Sequence, residues 1–359
     1  MKIGQNKKMK KVFMLLSIMF VLCFLPASNF SCVAETNDEI KIEHFFSHEL
    51  VYSPAKAYNP TNSLRKCFDR DHITTSEFKK ILEELYNNNF CLINIEDGYE
   101  FKDGKWKQKE NLDFGGKKPI ILSFDDMTYD TKNRGIVDKV VAKNGEFYDY
   151  CECEEQQYSQ ERDIVPILEN FIKTHPDFSY NGARAILCVT GYNGAFGHRV
   201  FEGSYLPASE LESSKAQLSE LVSLLKERGY KLGCHSYNHC NCIYTNHNNF
   251  VKDVNKWQNE IGSYIGKTNI YCYPGGLHKC KSQNNEYLKS NGFEIFLCTG
   301  KDFKQAEEDD IGATYFYRHP LDGTALRLCK EEYKEFFDTE KVYETARYVP
   351  FSLKRGYGA

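Results

Sequence analysis

The apolar and polar positions along this chain change period repeatedly, and each change marks an element. In "HITTSEFKKILEELYNNNFCLINI", Phe78, Ile81, Leu82 and Leu85 recur at helical spacing behind Thr74 and Glu77, which read as a capping box. Asn87 to Asn89 stop that helix, and Phe90 to Ile95 read as a strand. "PIILSFDD" is a buried strand that ends in Asp125 and Asp126. Beyond it, Asn144-Gly145 sits between alternating apolar residues and predicts a hairpin inserted in a strand-to-helix loop. Asp163 caps a helix that runs through Phe171 and Ile172, with Pro166 tolerated in its first turn.

"ARAILCVTG" is the next strand, and a long helix follows it. Ser209 and Glu212 read as that helix's capping box. Leu211, Leu218, Leu221, Val222 and Leu225 form its apolar face, and Gly229 is its stop. After the strand "KLGCHS", Phe250, Val251, Val254, Trp257 and Ile261 make another amphipathic helix. "IYCYP", "FEIFLCTG" and "TYFYRHP" complete the strands. Short apolar strands alternating with helices predict a parallel sheet covered by helices, either open or closed as an irregular barrel. In both architectures chemistry collects at the carboxyl ends of the strands.

Composition changes this picture only at the edges. Charged residues are 27% and hydrophobic ones 41%, as in an ordinary globular chain. The N-terminus differs: "MKIGQNKKMKK" is basic, "VFMLLSIMFVLCFLPA" is apolar, and "SNFSCVAET" is a small-residue exit. This predicts a secretory signal cleaved after Ala34, with an uncleaved membrane anchor as the alternative. Losing its five lysines takes the formal charge from -4 to -9. An acidic exported chain argues against nucleic acid as a partner and suits a neutral substrate, or a product that becomes cationic. Cys91, Cys188 and Cys298 lie in apolar runs as small hydrophobes, and no bridge is assignable.

The strand ends carry the chemistry. His235 and His239 in "GCHSYNHC" are one helical turn apart, so both imidazoles reach one ion. One carboxylate from Asp125-Asp126 completes an Asp–His–His set suited to Zn²⁺ or another divalent ion, and leaves its neighbour free as a base. Gly275 and Gly276 in "YCYPGG" let backbone N–H groups approach a ligand closely. A rival reading recruits Cys240 and Cys242 with the histidines into a closed structural zinc site.

"LSFDD", "HSYNH" and "YPGG", in this order, resemble the polysaccharide deacetylase family, carbohydrate esterase family 4 with its NodB homology domain. The resemblance spans residues 117–330, and the segment around residues 74–97 is similar to the one preceding the domain in secreted bacterial members. It implies a distorted (β/α) barrel with an N-terminal extension (35–116), the hairpin insertion, and a C-terminal helical tail (331–359). By it Asp125 matches the catalytic base and Asp126, His235 and His239 the metal ligands, while Gly275 offers a backbone N–H to the oxyanion.

The implied reaction is metal-assisted removal of N-acetyl (less often O-acetyl) groups from a polysaccharide, most readily one containing N-acetylglucosamine, at a bacterial surface or outside the cell. Met127 stands where the family has glycine, and Cys272 where it has the arginine that partners the base. His319 in "YRHP" and His48 in "FFSHEL" are the candidates for the general acid. A non-catalytic glycan-binding protein with the same fold and metal site is the alternative function.

Overall fold

The computed structural model describes residues 40–129, 132–201, 206–277, 282–299, 306–308 and 312–347. The apolar N-terminal segment, and with it the expected signal or anchor, lies outside the described residues, as does the end of the expected C-terminal tail. Among the described residues no helix is long and apolar enough to cross a membrane.

Seven parallel strands close into a barrel: β1 (Glu43–Ser47), β2 (Lys118–Phe124), β3 (Ile186–Val189), β4 (Lys231–Cys234), β5 (Ile270–Cys272), β6 (Ile295–Thr299) and β7 (Thr314–Pro320). The strands run β1-β7-β6-β5-β4-β3-β2, and β2 returns to β1 through five registered pairs from Glu43–Ile120 to Ser47–Phe124. A short strand, Phe90–Leu92, pairs with the first half of β2. Closure decides between the two architectures that the sequence left open. The strand that closes the circle, "EHFFS", is too short and too mixed to read as core in the sequence, and it displaces "PIILSF" from first place in the barrel.

Alternation along each strand sorts the barrel's contents. Ile42, Ile121, Ile186, Cys188, Ile270, Cys272, Ile295, Leu297 and Phe316 fill an apolar interior cluster that also holds Tyr99 and Trp106. Those two rings come from a hairpin, Tyr99–Lys102 with Lys105–Gln108, and the Trp106 backbone N–H donates to Thr314 Oγ1 at 3.0 Å. Space inside is tight: a Cβ on Gly233 would lie 3.1 Å from Ile270 and 3.2 Å from Cys188 Sγ. The outward residues Phe45, Leu122, Phe124, Leu187, Val189, Cys234, Phe296 and Tyr315 meet the helices in the larger core cluster.

The helices that matter here are α1 (Thr75–Asn87), α2 (Ile164–Thr174), α3 (Ala208–Arg228) and α4 (His247–Glu260). The Thr74 capping box of α1 forms as expected: Thr74 Oγ1 accepts from Glu77 N, and Glu77 Oε2 accepts from Thr74 N. Such a cap is worth about 1 kcal/mol. Asp163 caps α2 through Val165 N, also as expected. The Ser209–Glu212 box does not form, because α3 starts earlier, at Ala208 behind Pro207, and Ser209 is already inside its first turn.

The inserted hairpin is present between β2 and α2, with strands Lys139–Lys143 and Glu146–Tyr150 joined by Asn144 and Gly145, both at positive φ. His198 ties it to the barrel by donating from Nε2 to Val140 O at 2.7 Å. Beyond β7 the chain makes only short helices, and Arg347 returns to bury its guanidinium against Glu77.

Candidate active site

The two aspartates at the end of β2 point to different partners. Asp126 adopts a left-handed backbone (φ 55°), as do Ser236 (φ 63°) and His239 (φ 54°) after β4. Strained residues of this kind persist where surrounding contacts over-determine them, and here those contacts are visible. Asp253, buried on the inner face of α4, accepts from Ser236 Oγ (2.7 Å), Tyr237 N (2.7 Å), Asn238 N (2.8 Å) and the Cys240 thiol (3.2 Å). One carboxylate thus holds the whole loop that carries both histidines.

The outcome is a three-donor cluster. Asp126 Oδ1 lies 3.8 Å from His235 Nε2, and Asp126 Oδ2 lies 3.9 Å from His239 Nε2. Donors at 2.0–2.2 Å from a tetrahedral ion stand roughly 3.4 Å apart, so modest side-chain movement closes this set on one divalent cation. Supporting bonds orient it: His235 Nδ1 donates to Cys272 O at 3.0 Å, which leaves Nε2 as the ligating atom, and Thr190 Oγ1 donates to Asp126 Oδ1 at 2.6 Å. The donor chemistry and its orientation fit a divalent metal. Burial pushes His235 down, but Cys272 and the two aspartates outweigh it and raise its pKa to about 9, so cationic charge is favoured at this spot.

Asp125 is turned away from that cluster and into the barrel. Arg318 from β7 grips it with two bonds, Nη1 to Oδ1 at 2.8 Å and Nη2 to Oδ2 at 2.9 Å. The same guanidinium reaches Ser123 Oγ (3.1 Å) and Cys272 Sγ (3.0 Å), and lies 4.4 Å over the Phe46 ring. Burial alone would raise the Asp125 pKa, but Arg318 overrides it and holds the carboxyl well below the usual range. The sequence reading left the base without its arginine because Cys272 occupies the usual place. That expectation is corrected here: the arginine is supplied by a different strand, across the barrel, and the small Cys272 side chain makes room for it.

The two histidine candidates separate by strand parity. On β7 Arg318 points inward, so His319 points outward, where its Nε2 pairs with Glu43 at 2.7 Å and its ring faces Phe45. The structure does not bring His319 to the cluster. His48 continues the inward series of His44 and Phe46 and lies beside both aspartates. Its Nδ1 bonds Asp71 O at 2.9 Å, which leaves Nε2 as the titrating nitrogen. Burial disfavours charge on His48, yet Asp126, Asp125 and Asp71 prevail and raise its pKa. The neighbouring His72, 5.3 Å away ring to ring, is pushed down to about 4 by burial and by His48.

Gly275 sits in the turn after β5 at φ 71°, a conformation that costs glycine nothing. Met127 is fully buried, its side chain in the core below the site and its N–H on Cys188 O. Cys240 and Cys242 donate to Asp253 and Asn285 and are not gathered with the histidines, so the closed zinc site is not assembled. Sequence reading missed Arg318, Thr190 and Asp253. Asp253 left a trace, an acid on the apolar stripe of Phe250, Val254 and Trp257.

With the geometry in hand, residues 179–296 match the family model described as polysaccharide deacetylase. That segment, about a third of the chain, is similar to the polysaccharide deacetylase family. The match covers His235, His239 and Gly275 but begins after Asp125 and Asp126. Among solved structures, a Streptococcus pyogenes deacetylase in complex with acetate is similar at 14% identity and a TM-score of 0.42, over 80% of this chain and 96% of that one. A polysaccharide deacetylase from Bacillus cereus is similar at 11% identity and a TM-score of 0.44, over 83% and 69%. No curated protein matches the sequence significantly.

Proposed function

We propose that this chain is a polysaccharide deacetylase, a metal-dependent hydrolase that removes acetyl groups from a polysaccharide, with N-acetylglucosamine units as the first substrate class. The observation that carries the reading is the convergence of Asp126, His235 and His239 beside a second aspartate, Asp125, that Arg318 grips. A divalent cation, Zn²⁺ first, would be held by those three residues and would supply Lewis-acid activation of water and of the acetyl carbonyl.

The chain's own residues account for the proton movements. Asp125, kept ionised by Arg318, takes the proton of the attacking water as its oxygen bonds to the acetyl carbon. The Gly275 N–H would support negative charge on the carbonyl oxygen. As the carbon–nitrogen bond breaks, His48 returns a proton to the departing nitrogen, giving acetate and a free amine. Its raised pKa supports that role, and its position favours it over His319.

The reading includes export to the cell surface or beyond, through the apolar N-terminal segment. Acetate release from N-acetylated chitooligosaccharides and peptidoglycan fragments, with chelator and with Zn²⁺ returned, tests it. Release that chelator abolishes and Zn²⁺ restores is expected. Bound metal with no release from any acetylated glycan would favour the non-catalytic glycan-binding reading.

A further inference from the structure

Where the inserted hairpin ends, Cys151-Glu152-Cys153 folds back against the loop that follows β1. The two sulfurs are 3.2 Å apart. Cys151 is buried, while Cys153 is the exposed member of the described cysteines, all of which are free thiols. Lys56 Nζ donates to Cys153 Sγ at 3.1 Å and to Glu154 Oε1 at 2.7 Å. Tyr52 OH lies 3.2 Å from Cys151 Sγ and donates to the same Glu154 oxygen at 2.8 Å.

Cys151, Cys153 and Glu154 have the spacing of a metal cluster, but the Lys56 ammonium already stands among them and fills the place of a cation. What remains is a thiol pair with a positive charge on its exposed member. Partial burial pushes the Cys153 thiol up, yet the bonds from Cys151, Lys56 and Tyr52 prevail and lower it. Buried cysteines elsewhere go the other way, Cys91 to about 11 and Cys242 to about 12. Reactive cysteines occupy such electropositive, partly exposed surroundings.

We propose that Cys151 and Cys153 are a redox-active dithiol that reduces a low-molecular-weight disulfide and is itself oxidised to a Cys151–Cys153 bridge. Cys153, as thiolate, attacks one sulfur of the small disulfide. The sulfur–sulfur bond breaks, one small thiolate leaves and takes up a proton from water, and Cys153 carries the other half. Cys151 then loses its proton to solvent and attacks Cys153 Sγ, expelling the second small thiol. Two electrons pass from the protein pair to the small disulfide, and two thiols are released. Closure requires the sulfurs to approach by roughly 1.2 Å. The bridge spans a single intervening residue at the surface, which makes it of the labile, reversible kind. On oxidation Cys153 ceases to hold Lys56, and the hairpin loses one of its ties to the Tyr52–Lys56 segment.

The test incubates the reduced full-length protein with oxidised glutathione and maps peptides by mass. The wild-type chain is expected to give a linked Cys151–Cys153 peptide two hydrogens lighter, and Cys151→Ser a stable glutathione adduct on Cys153. Cys153→Ser is expected to give neither product over the same time. Lys56→Gln should slow adduct formation about fivefold at pH 7, with Lys56→Arg restoring it. In wild type, limited iodoacetamide should label Cys153 first, a readout that needs no variant. The proposal is overturned if no linked peptide forms, if Cys153→Ser reacts at the wild-type rate, or if the adduct in Cys151→Ser sits on another cysteine. A one-to-one Zn²⁺ complex that protects both thiols would overturn it too.

Discussion

Two buried arginines in this barrel hold carboxylates in bidentate grips, and their surroundings could hardly differ more. Arg347 meets Glu77 at the start of α1, where Thr74 N and Glu344 N also bond the carboxylate, and the guanidinium's remaining donors reach Asp69 O and His72 O. Both oxygens of the Glu77 carboxylate are bonded there, and the backbone conformations are ordinary. Arg318 meets Asp125 at the barrel mouth, beside three side chains, Asp126, His235 and His239, whose polar atoms face one another across 3.8 and 3.9 Å, and a backbone bent into the left-handed region. A buried ion pair is therefore no sign of chemistry in itself. The sign is such a pair next to three potential ligands, Asp126, His235 and His239, gathered around one point.

The comparison can be broken at either pair. The largest effect is expected at the mouth: Asp125→Asn should lower turnover about 10²- to 10⁴-fold while metal content stays at the wild-type level. His235→Ala should lose both, as read by metal analysis and acetate release. Next comes the structural pair, where Arg347→Ala leaves Glu77 buried and unpaired and should cost about 3–5 kcal/mol of stability in denaturant unfolding. Activity per folded molecule should not change in that variant, and a loss there would erase the distinction between the two pairs.

A smaller, sharper effect is expected for Arg318→Gln. Without the guanidinium, burial is left to raise the Asp125 pKa, so the acid limb of the rate profile should move to higher pH, with turnover at pH 7 down about tenfold to a hundredfold. An unmoved acid limb would show that Arg318 merely fills space.

The smallest effect lies away from both pairs. Burial lowers the His198 pKa to about 4, below its unfolded value near 6.5. Its contribution is fully present above pH 6.5 and is lost as pH falls toward 4. Acidification from pH 7 to 5 should thus remove about 1–2 kcal/mol that His198→Asn does not lose. Unfolding curves at the two pH values measure it.

What the sequence made legible follows from how far apart the cooperating residues are. Thr74 with Glu77, Asn144 with Gly145, and His235 with His239 each work within one turn of chain, so spacing alone exposes them. Asp126 required an assumption that strand ends meet, and the parallel barrel supplies it. Arg318 and His48 could not be read in this way. Both depend on which face of a strand points inward, and on β1 and β7 becoming neighbours only when the barrel closes. In "YRHP" the histidine attracts attention, yet a shift of one residue along a strand reverses its direction, and the arginine is the one that arrives. Ser209 misled for the opposite reason: a correct local motif was pre-empted by Pro207 starting the helix sooner.

The closing seam joins Glu43–Ser47 to Thr314–Pro320, so the first and last staves of the cylinder meet across all the chain that lies between them. Contacts that distant form late, after the closure entropy of the long intervening loop has been overcome. A ribosome-bound chain that lacks the final strand holds its histidine loop and its aspartates, but not the guanidinium that grips Asp125. Assembly of the site is thus postponed until β7 has been made, which ties its completion to the arrival of that strand.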